Sequence, residues 1–282
     1  MKGSTTLLAK VYKEFKSLDE QLDYLHEEKN IYFQKREDAK RMLLDHNYYN
    51  IISCGKIKFA EDIVNNHHQY QKSLLEEWYE YFLKDCQVSE YLMSNLIEFE
   101  RIINSRTSYY VGKLIQGTFS SNLLNSNEKN KLYMLIRSAD ISNLPSYSGK
   151  ETWKYITKMS FGQMRQVLFW LLNNKPEIFE LIFFDYSFIT EKNDQQIKRL
   201  DNIILLRNFL FHFTPLSIYL GFSKRRDGTY RNKYRKEAVK FIFELKKDDS
   251  IHSDLKIIIK NANKFNKLKN KNKKNSQGLS QD

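Results

Sequence analysis

Nine glycines and three prolines, twelve in all, punctuate a chain of 282 residues. Turns and strand ends consume those two residue types, so a many-stranded sandwich or barrel has too little of either. Long helices joined by few tight turns remain. Hydrophobic residues make up 41% of the chain and aromatics 14%, enough for a real core and too much for wholesale disorder. The expected class is all-α.

Net charge is +12, and it is unevenly placed. Residues 1–223 carry 28 Lys+Arg against 27 Asp+Glu, a net of +1. Residues 224–240 carry 8 against 2, and residues 260–282 carry 7 against 1, each a net of +6. Two local basic blocks point to a polyanion, RNA, DNA or anionic lipid, more than to a general solubility device.

The two cysteines, Cys54 and Cys86, form no disulfide framework and no zinc spacing. A reduced, cytoplasmic protein is therefore expected. The most apolar window, Asn202 to Phe222, is broken by Arg207, Asn208, His212 and Pro215. It reads as a buried helix and not as a membrane span.

Ser17-Leu18-Asp19-Glu20 has the form of a capping box and opens a helix with Leu22 and Leu25 inward. A second helix over 34–48 turns Ala39, Leu43 and Leu44 inward and ends at Asn47-Tyr48-Tyr49-Asn50. Further helices are expected over 69–84, 89–118, 127–139, 151–158, 160–173, 176–185, about 194–213, 235–247 and 251–263. Residues 141–150 read as a surface loop. From these, an N-terminal helical module (1–66), a main helical domain (67–263) and a disordered basic tail (264–282) are expected. The tail has only Phe265, Leu268 and Leu279 as apolar side chains, too few to fold alone.

The strongest chemical signal is Arg207-Asn208-Phe209-Leu210-Phe211-His212. On a helix Asn208 and His212 share a face, and the three polar residues span an arc of about 140°. Phe211 lies inside that arc and can wall a pocket. The neighbours Ile203, Ile204, Leu205, Leu206, Phe209, Leu210 and Phe213 are apolar. Burying Arg and His unpaired in such company is costly, so the pair needs a reason. Histidine can move a proton near neutral pH. Arginine can neutralise charge on a pentavalent phosphorane. RNA supplies its own nucleophile, the ribose 2′-hydroxyl, so this kit needs no metal. Spacing alone is weak: twelve arginines and six histidines give such a pair by chance about one time in four. Arg41 to His46 repeats it, and there a solvated helix end is the plainer reading.

Set late in a helical chain, Arg207-Asn208 with His212 resembles the Arg-x4-His motif of HEPN ribonucleases. The chain resembles the AbiD/AbiF-type abortive-infection family within that group. The resemblance runs through Ser17-Leu18-Asp19-Glu20-Gln21-Leu22 with Leu25, then Ala39, Leu43 and Asn47-Tyr48-Tyr49. It continues through Leu96-Ile97-Glu98-Phe99-Glu100, Tyr109-Tyr110, Thr152-Trp153, Met159-Ser160-Phe161-Gly162 and Leu168. In order, these stretches cover most of residues 15–220. One departure is Ile51 to Phe59, where Cys54-Gly55-Lys56 replaces an expected aromatic-rich turn.

The resemblance implies a HEPN-type helical bundle and a phage-defence toxin. The implied activity is metal-independent RNA cleavage by 2′-hydroxyl attack, leaving a 2′,3′-cyclic phosphate, with no cofactor. One motif per chain implies a homodimer with a composite Arg/His site. A structured non-coding RNA partner, as in a toxin–antitoxin complex, would suit the basic C-terminus. His212 would transfer the proton, Arg207 stabilise phosphate charge, and Asn208 orient one of them or the RNA. Glu100 lies where similar HEPN proteins often carry a polar residue facing the motif helix. Its plainer reading is structural.

Lys224, Arg225, Arg226, Arg231, Lys233, Arg235 and Lys236, interleaved with Tyr230 and Tyr234, form a candidate RNA-backbone surface. Its bland alternative is a solvated loop. Glu98 reads as surface, and Trp153 and Phe161 as core. Adjacent His67 and His68 point to different helix faces and lack a carboxylate set, so no metal site is expected. The rival class is a non-catalytic RNA-binding or regulatory protein, which needs the basic surface and not the Arg/His pair.

Overall fold

The computed structural model describes residues 15–64, 67–117, 124–137, 152–186, 193–222 and 233–278. Among these the chain is overwhelmingly helical, as the glycine and proline shortage requires. It divides into two compact units, Met1–Leu83 and Lys84–Asp282. The division falls later than the expected boundary after residue 66.

The first unit opens with α1 (Leu18–Lys29). Ser17 Oγ accepts from Glu20 N, and Glu20 Oε2 accepts from Ser17 N at 2.7 Å, the reciprocal capping box. Helix α2 (Arg36–His46) packs on α1 through Leu22, Leu25, Ala39 and Leu43. Arg36 reaches Asp19 and Asp23, both at 2.8 Å, along the exposed edge. Asn47 then takes a positive φ of 65° and caps α3 (Tyr48–Phe59) by accepting from Tyr49 N at 2.9 Å.

Ile51 to Phe59, where Cys54-Gly55-Lys56 replaces the expected aromatic-rich turn, is therefore helix. Its Gly55 has a packing reason: a Cβ there would meet Trp78 Cε3 at 2.2 Å. Only glycine admits the indole against the backbone of α3. Trp78 stacks on Phe59 at 5.0 Å and donates from Nε1 to Ser73 Oγ at 2.9 Å.

Residues 60–64 and 67–74 are not helical. β1 (Ile31–Tyr32) pairs parallel with β4 (Ser73–Leu74), and β2 (Ala60–Val64) pairs antiparallel with β3 (His67–Tyr70). Helix expected from residue 69 begins only at Leu75. His67 and His68 thus sit on a strand, with His68 stacked near Tyr70. His46, in the second Arg-x4-His spacing, packs against Tyr79 and Phe82 instead of standing in solvent.

Helix α4 (Leu75–Gln116) is one continuous helix of 42 residues where two were expected. Trp78, Phe82, Asp85, Ser89, Leu92, Leu96, Phe99 and Ile103 follow a three-four spacing, one seam of a long helix. Gly117 ends it with φ 71°. The second unit continues with α5 (Ser126–Arg137), α6 (Thr152–Ile156), α7 (Phe161–Asn174), α8 (Pro176–Ile182) and α9 (Asn193–Phe211). It closes with α10 (Leu216–Gly221), α11 (Lys233–Glu244) and α12 (Asp249–Gly278). Within it α9 packs on α7, α10 and α11, and α12 packs on α10. Phe99 is an aromatic hub, with Phe161, Phe241 and Tyr186 at 5.9, 5.5 and 5.1 Å. Phe161 is core as expected, but Trp153 is 47% exposed.

The disordered tail is corrected for residues 264–278, which are the last half of α12. Leu255, Ile258, Ala262 and Phe265 form one buried stripe that begins before Lys264. A helix already nucleated and packed extends cheaply into a Lys/Asn-rich sequence that could not fold by itself. No helix of the described residues is long and apolar enough to cross a membrane.

Candidate active site

Arg207 lies near the C-terminal end of α9, with its side chain 28% exposed. Its Nε donates to Glu100 Oε2 at 3.2 Å. The other oxygen, Glu100 Oε1, accepts from Phe161 N at 3.1 Å, the first amide of α7. One carboxylate therefore joins a helix N-terminus, where negative charge is favoured, to the motif arginine. Phe99, buried beside it in sequence, anchors that segment of α4. The Arg207 guanidinium carbon lies 4.2 Å from the centroid of Phe211, so the expected aromatic wall is in contact.

Asn208 and His212 are both solvent-exposed. The expectation of buried polar groups in an apolar helix is corrected: Ile203, Ile204, Leu206 and Leu210 take the core face, and the polar residues take the outer one. His212 is the last residue of the helical path, its N donating to Asn208 O at 3.2 Å. Thr214 N then donates to Phe209 O at 3.0 Å and Phe213 N to Leu210 O at 2.9 Å. This bond pair is a Schellman terminus, with His212 as the C-cap.

The left-handed position that such a terminus needs is Phe213, at φ 53°. Glycine is the usual occupant, and a bulky residue there is strained. Phe213 is also 80% exposed, so burial does not repay the strain.

The chain after the site is held by Asp85, a residue sequence reasoning missed. It is fully buried on α4. Its two oxygens accept from Leu216 N at 2.6 Å and Ser217 N at 2.7 Å, and Ser89 Oγ donates to it at 3.2 Å. Pro215 at the N-cap of α10 offers no side-chain acceptor, so Asp85 caps that helix from across the fold. Burial pushes its carboxyl above the usual carboxylate range, opposed by those hydrogen bonds. The available signal was an acidic residue on the apolar seam of α4.

The candidate RNA surface is redistributed. Lys224, Arg225, Arg226, Tyr230 and Arg231 lie outside the described residues. Lys233 is exposed and pairs with Glu237 at 4.0 Å, while Lys236 is half-buried. Arg235 is not a free cation. It donates to Tyr219 O and lies 4.8 Å from the Tyr219 ring and 5.6 Å from that of Phe209. Burial lowers its pKa, and its role in the structure is to tie α11 to α10. Glu98, read as surface, is partly covered and pairs with Lys246.

No protein-family model, curated protein or solved structure matches this chain. The reading of the site rests on its own geometry. That geometry is an oriented arginine on an aromatic ring, five residues ahead of an exposed histidine, at a helix terminus locked in place on both sides. Among the described residues no group of three or more His, Cys, Asp or Glu side chains is gathered as a metal site.

Proposed function

We propose that this chain is an endoribonuclease of the HEPN type. Arg207 and His212 act without a metal on RNA that supplies its own 2′-hydroxyl. The observation that carries the reading is the Glu100 carboxylate, held by Phe161 N and turned onto Arg207 Nε. A guanidinium oriented in this way keeps its remaining N–H groups for a phosphate. In the reaction His212 takes the 2′-hydroxyl proton as that oxygen bonds to phosphorus. The bond from phosphorus to the 5′-oxygen breaks, giving a 2′,3′-cyclic phosphate and a 5′-hydroxyl. The proton for the leaving oxygen comes from the motif of a second copy in a homodimer. Arg207 offsets the charge that builds on the phosphorane.

The resemblance to AbiD/AbiF-type proteins supplies the biological part: a toxin that halts a phage-infected cell. Purified protein incubated with total RNA in EDTA should generate cyclic-phosphate ends. If His212→Ala cuts as well as the unmodified protein, the reading fails. Sedimentation at micromolar concentration should show a dimer.

One observation favours a second reading. Pairing with Glu100 partly neutralises Arg207, as a purely structural clamp would. In that case the protein binds RNA without cutting it, as a regulatory partner. Cell toxicity separates the two: its loss in Arg207→Ala with RNA binding retained supports the enzyme.

A further inference from the structure

Helix α12 has two faces of different character. Leu255, Ile258, Ala262 and Phe265 are buried on one. Asn266, beside them, donates to Leu220 O at 3.1 Å and holds the helix against α10. Lys256, Lys260, Lys264, Lys267 and Lys271 are all exposed. Their spacing of four, four, three and four residues places them within an arc of about 80°, opposite the buried stripe. The row runs about 22 Å at roughly one charge per helical turn. From Leu255 to Gly278 the sequence has eight lysines and no acidic residue. None of the five makes a salt bridge among the described residues. Lys269 falls on the inner side, over the rings of Phe222 and Phe265 at 4.2 and 5.0 Å, and is not part of the row.

We propose that this row is a phosphate-binding rail, on which Lys256, Lys260, Lys264, Lys267 and Lys271 hold the backbone of an RNA strand. A straight series of like charges at near-regular intervals complements a linear polyanion. Lysine suits it because it contacts phosphate as a point charge and reads no base. The buried stripe of α12 is spent inside the fold. Among the described residues the outer face leaves only Ile257 exposed of its large apolar side chains, too little for the inserted apolar face of an interfacial membrane helix. The choice of RNA over other polynucleotides rests on the ribonuclease reading above; the charge pattern itself does not. The rail also lies on the helix that clasps α10, and α10 begins at Leu216, four positions after His212 with only Phe213, Thr214 and Pro215 between. It gives the substrate a grip outside the cutting site.

The test is binding of a labelled single-stranded RNA to the full chain carrying His212→Ala, measured across a potassium chloride series. In that background the five lysines are changed together to glutamine, and in a parallel variant to arginine. The glutamine variant should lose at least tenfold in affinity near physiological salt. Its log–log salt dependence should flatten by about 3.5, from about 0.7 per single-strand phosphate contact. The arginine variant should keep both. All five side chains are exposed, so circular dichroism and melting should be unchanged. An unchanged slope and affinity in the glutamine variant overturn the rail. So does tighter binding to duplex DNA of equal length, or to phosphatidylserine vesicles, at matched salt. The two readings fail separately. A chain that never cuts RNA but loses salt dependence with the five lysines keeps the rail and loses the ribonuclease. A chain that cuts, and binds RNA equally well without them, does the reverse.

Discussion

Glu100 and Arg207, 107 positions apart in sequence, meet at 3.2 Å through Oε2 and Nε, while the second Glu100 oxygen caps α7 at Phe161 N. Removing the carboxylate leaves both donors without their acceptor. Glu100→Ala should destabilise the fold by roughly 1–3 kcal/mol in urea unfolding. It should also reduce RNA cleavage more than RNA binding, because the guanidinium loses its orientation. Glu100→Gln, which keeps one acceptor oxygen, should recover much of the stability and only part of the cleavage rate. Equal loss of stability and activity in both variants would reduce Glu100 to a structural tie.

Asp85 should be the most sensitive polar position in the second unit. Asp85→Ala strands the amides of Leu216 and Ser217 in a dry interior and leaves a cavity. The expected cost is about 3 kcal/mol or more in chemical denaturation. Asp85→Asn keeps an acceptor for one amide only and should fall between. A cost below 1 kcal/mol in the alanine variant would mean that water reaches the start of α10.

Phe213 predicts the opposite sign. Replacing it with glycine removes the left-handed penalty at the Schellman position and gives up almost no buried area. Phe213→Gly should therefore stabilise the protein by about 1 kcal/mol and raise its melting temperature by a few degrees. A lower melting temperature would show that the ring contributes more than its exposure indicates.

Arg106 and Asp185 form a two-pronged pair, Nη1–Oδ1 at 2.6 Å and Nη2–Oδ2 at 2.8 Å. The hydrogen bonds from Arg106 hold the Asp185 carboxyl below the usual carboxylate range. A depressed folded value means the pair stabilises the protein above the unfolded pKa of about 3.9. That contribution is lost as pH falls through the folded value. Asp185→Asn should cost under about 1 kcal/mol near neutrality, since the pair is half in solvent. The gap between variant and unmodified protein should narrow as pH falls below about 3.9 and close once pH has passed the lowered folded value. A gap that stays constant down to that value would rule out the ion pair as its source.

Much of the helical order was legible from the chain. The Ser17/Glu20 box, the stop at Asn47 and the stop before Pro215 are local chemistry, and local chemistry shows in a short window. The motif helix and the wall residue Phe211 were legible for the same reason. Asp85 was not, because its partners Leu216 and Ser217 are more than 130 residues away. Arg235 looked like one more charge in a basic run. Only the arrival of Tyr219 and Phe209 beside it makes it structural. The Lys/Asn stretch after residue 264 looked unable to fold because it was weighed alone, whereas Phe265 completes a stripe begun at Leu255.

Sequence by itself determined that the chain is helical, that its excess charge sits near the C-terminus, and that Arg207, Asn208 and His212 share one end of a helix. Composition and short-range periodicity carry all of that, because helix hydrogen bonds and side-chain spacing are local. Tertiary structure decided which charges are available. It paired Arg207 with Glu100, buried Asp85 under α10, enclosed Arg235 between rings, and turned five lysines of α12 outward. A side chain's environment depends on which distant segment packs against it, and desolvation and pairing, not residue type, set what a charge can do.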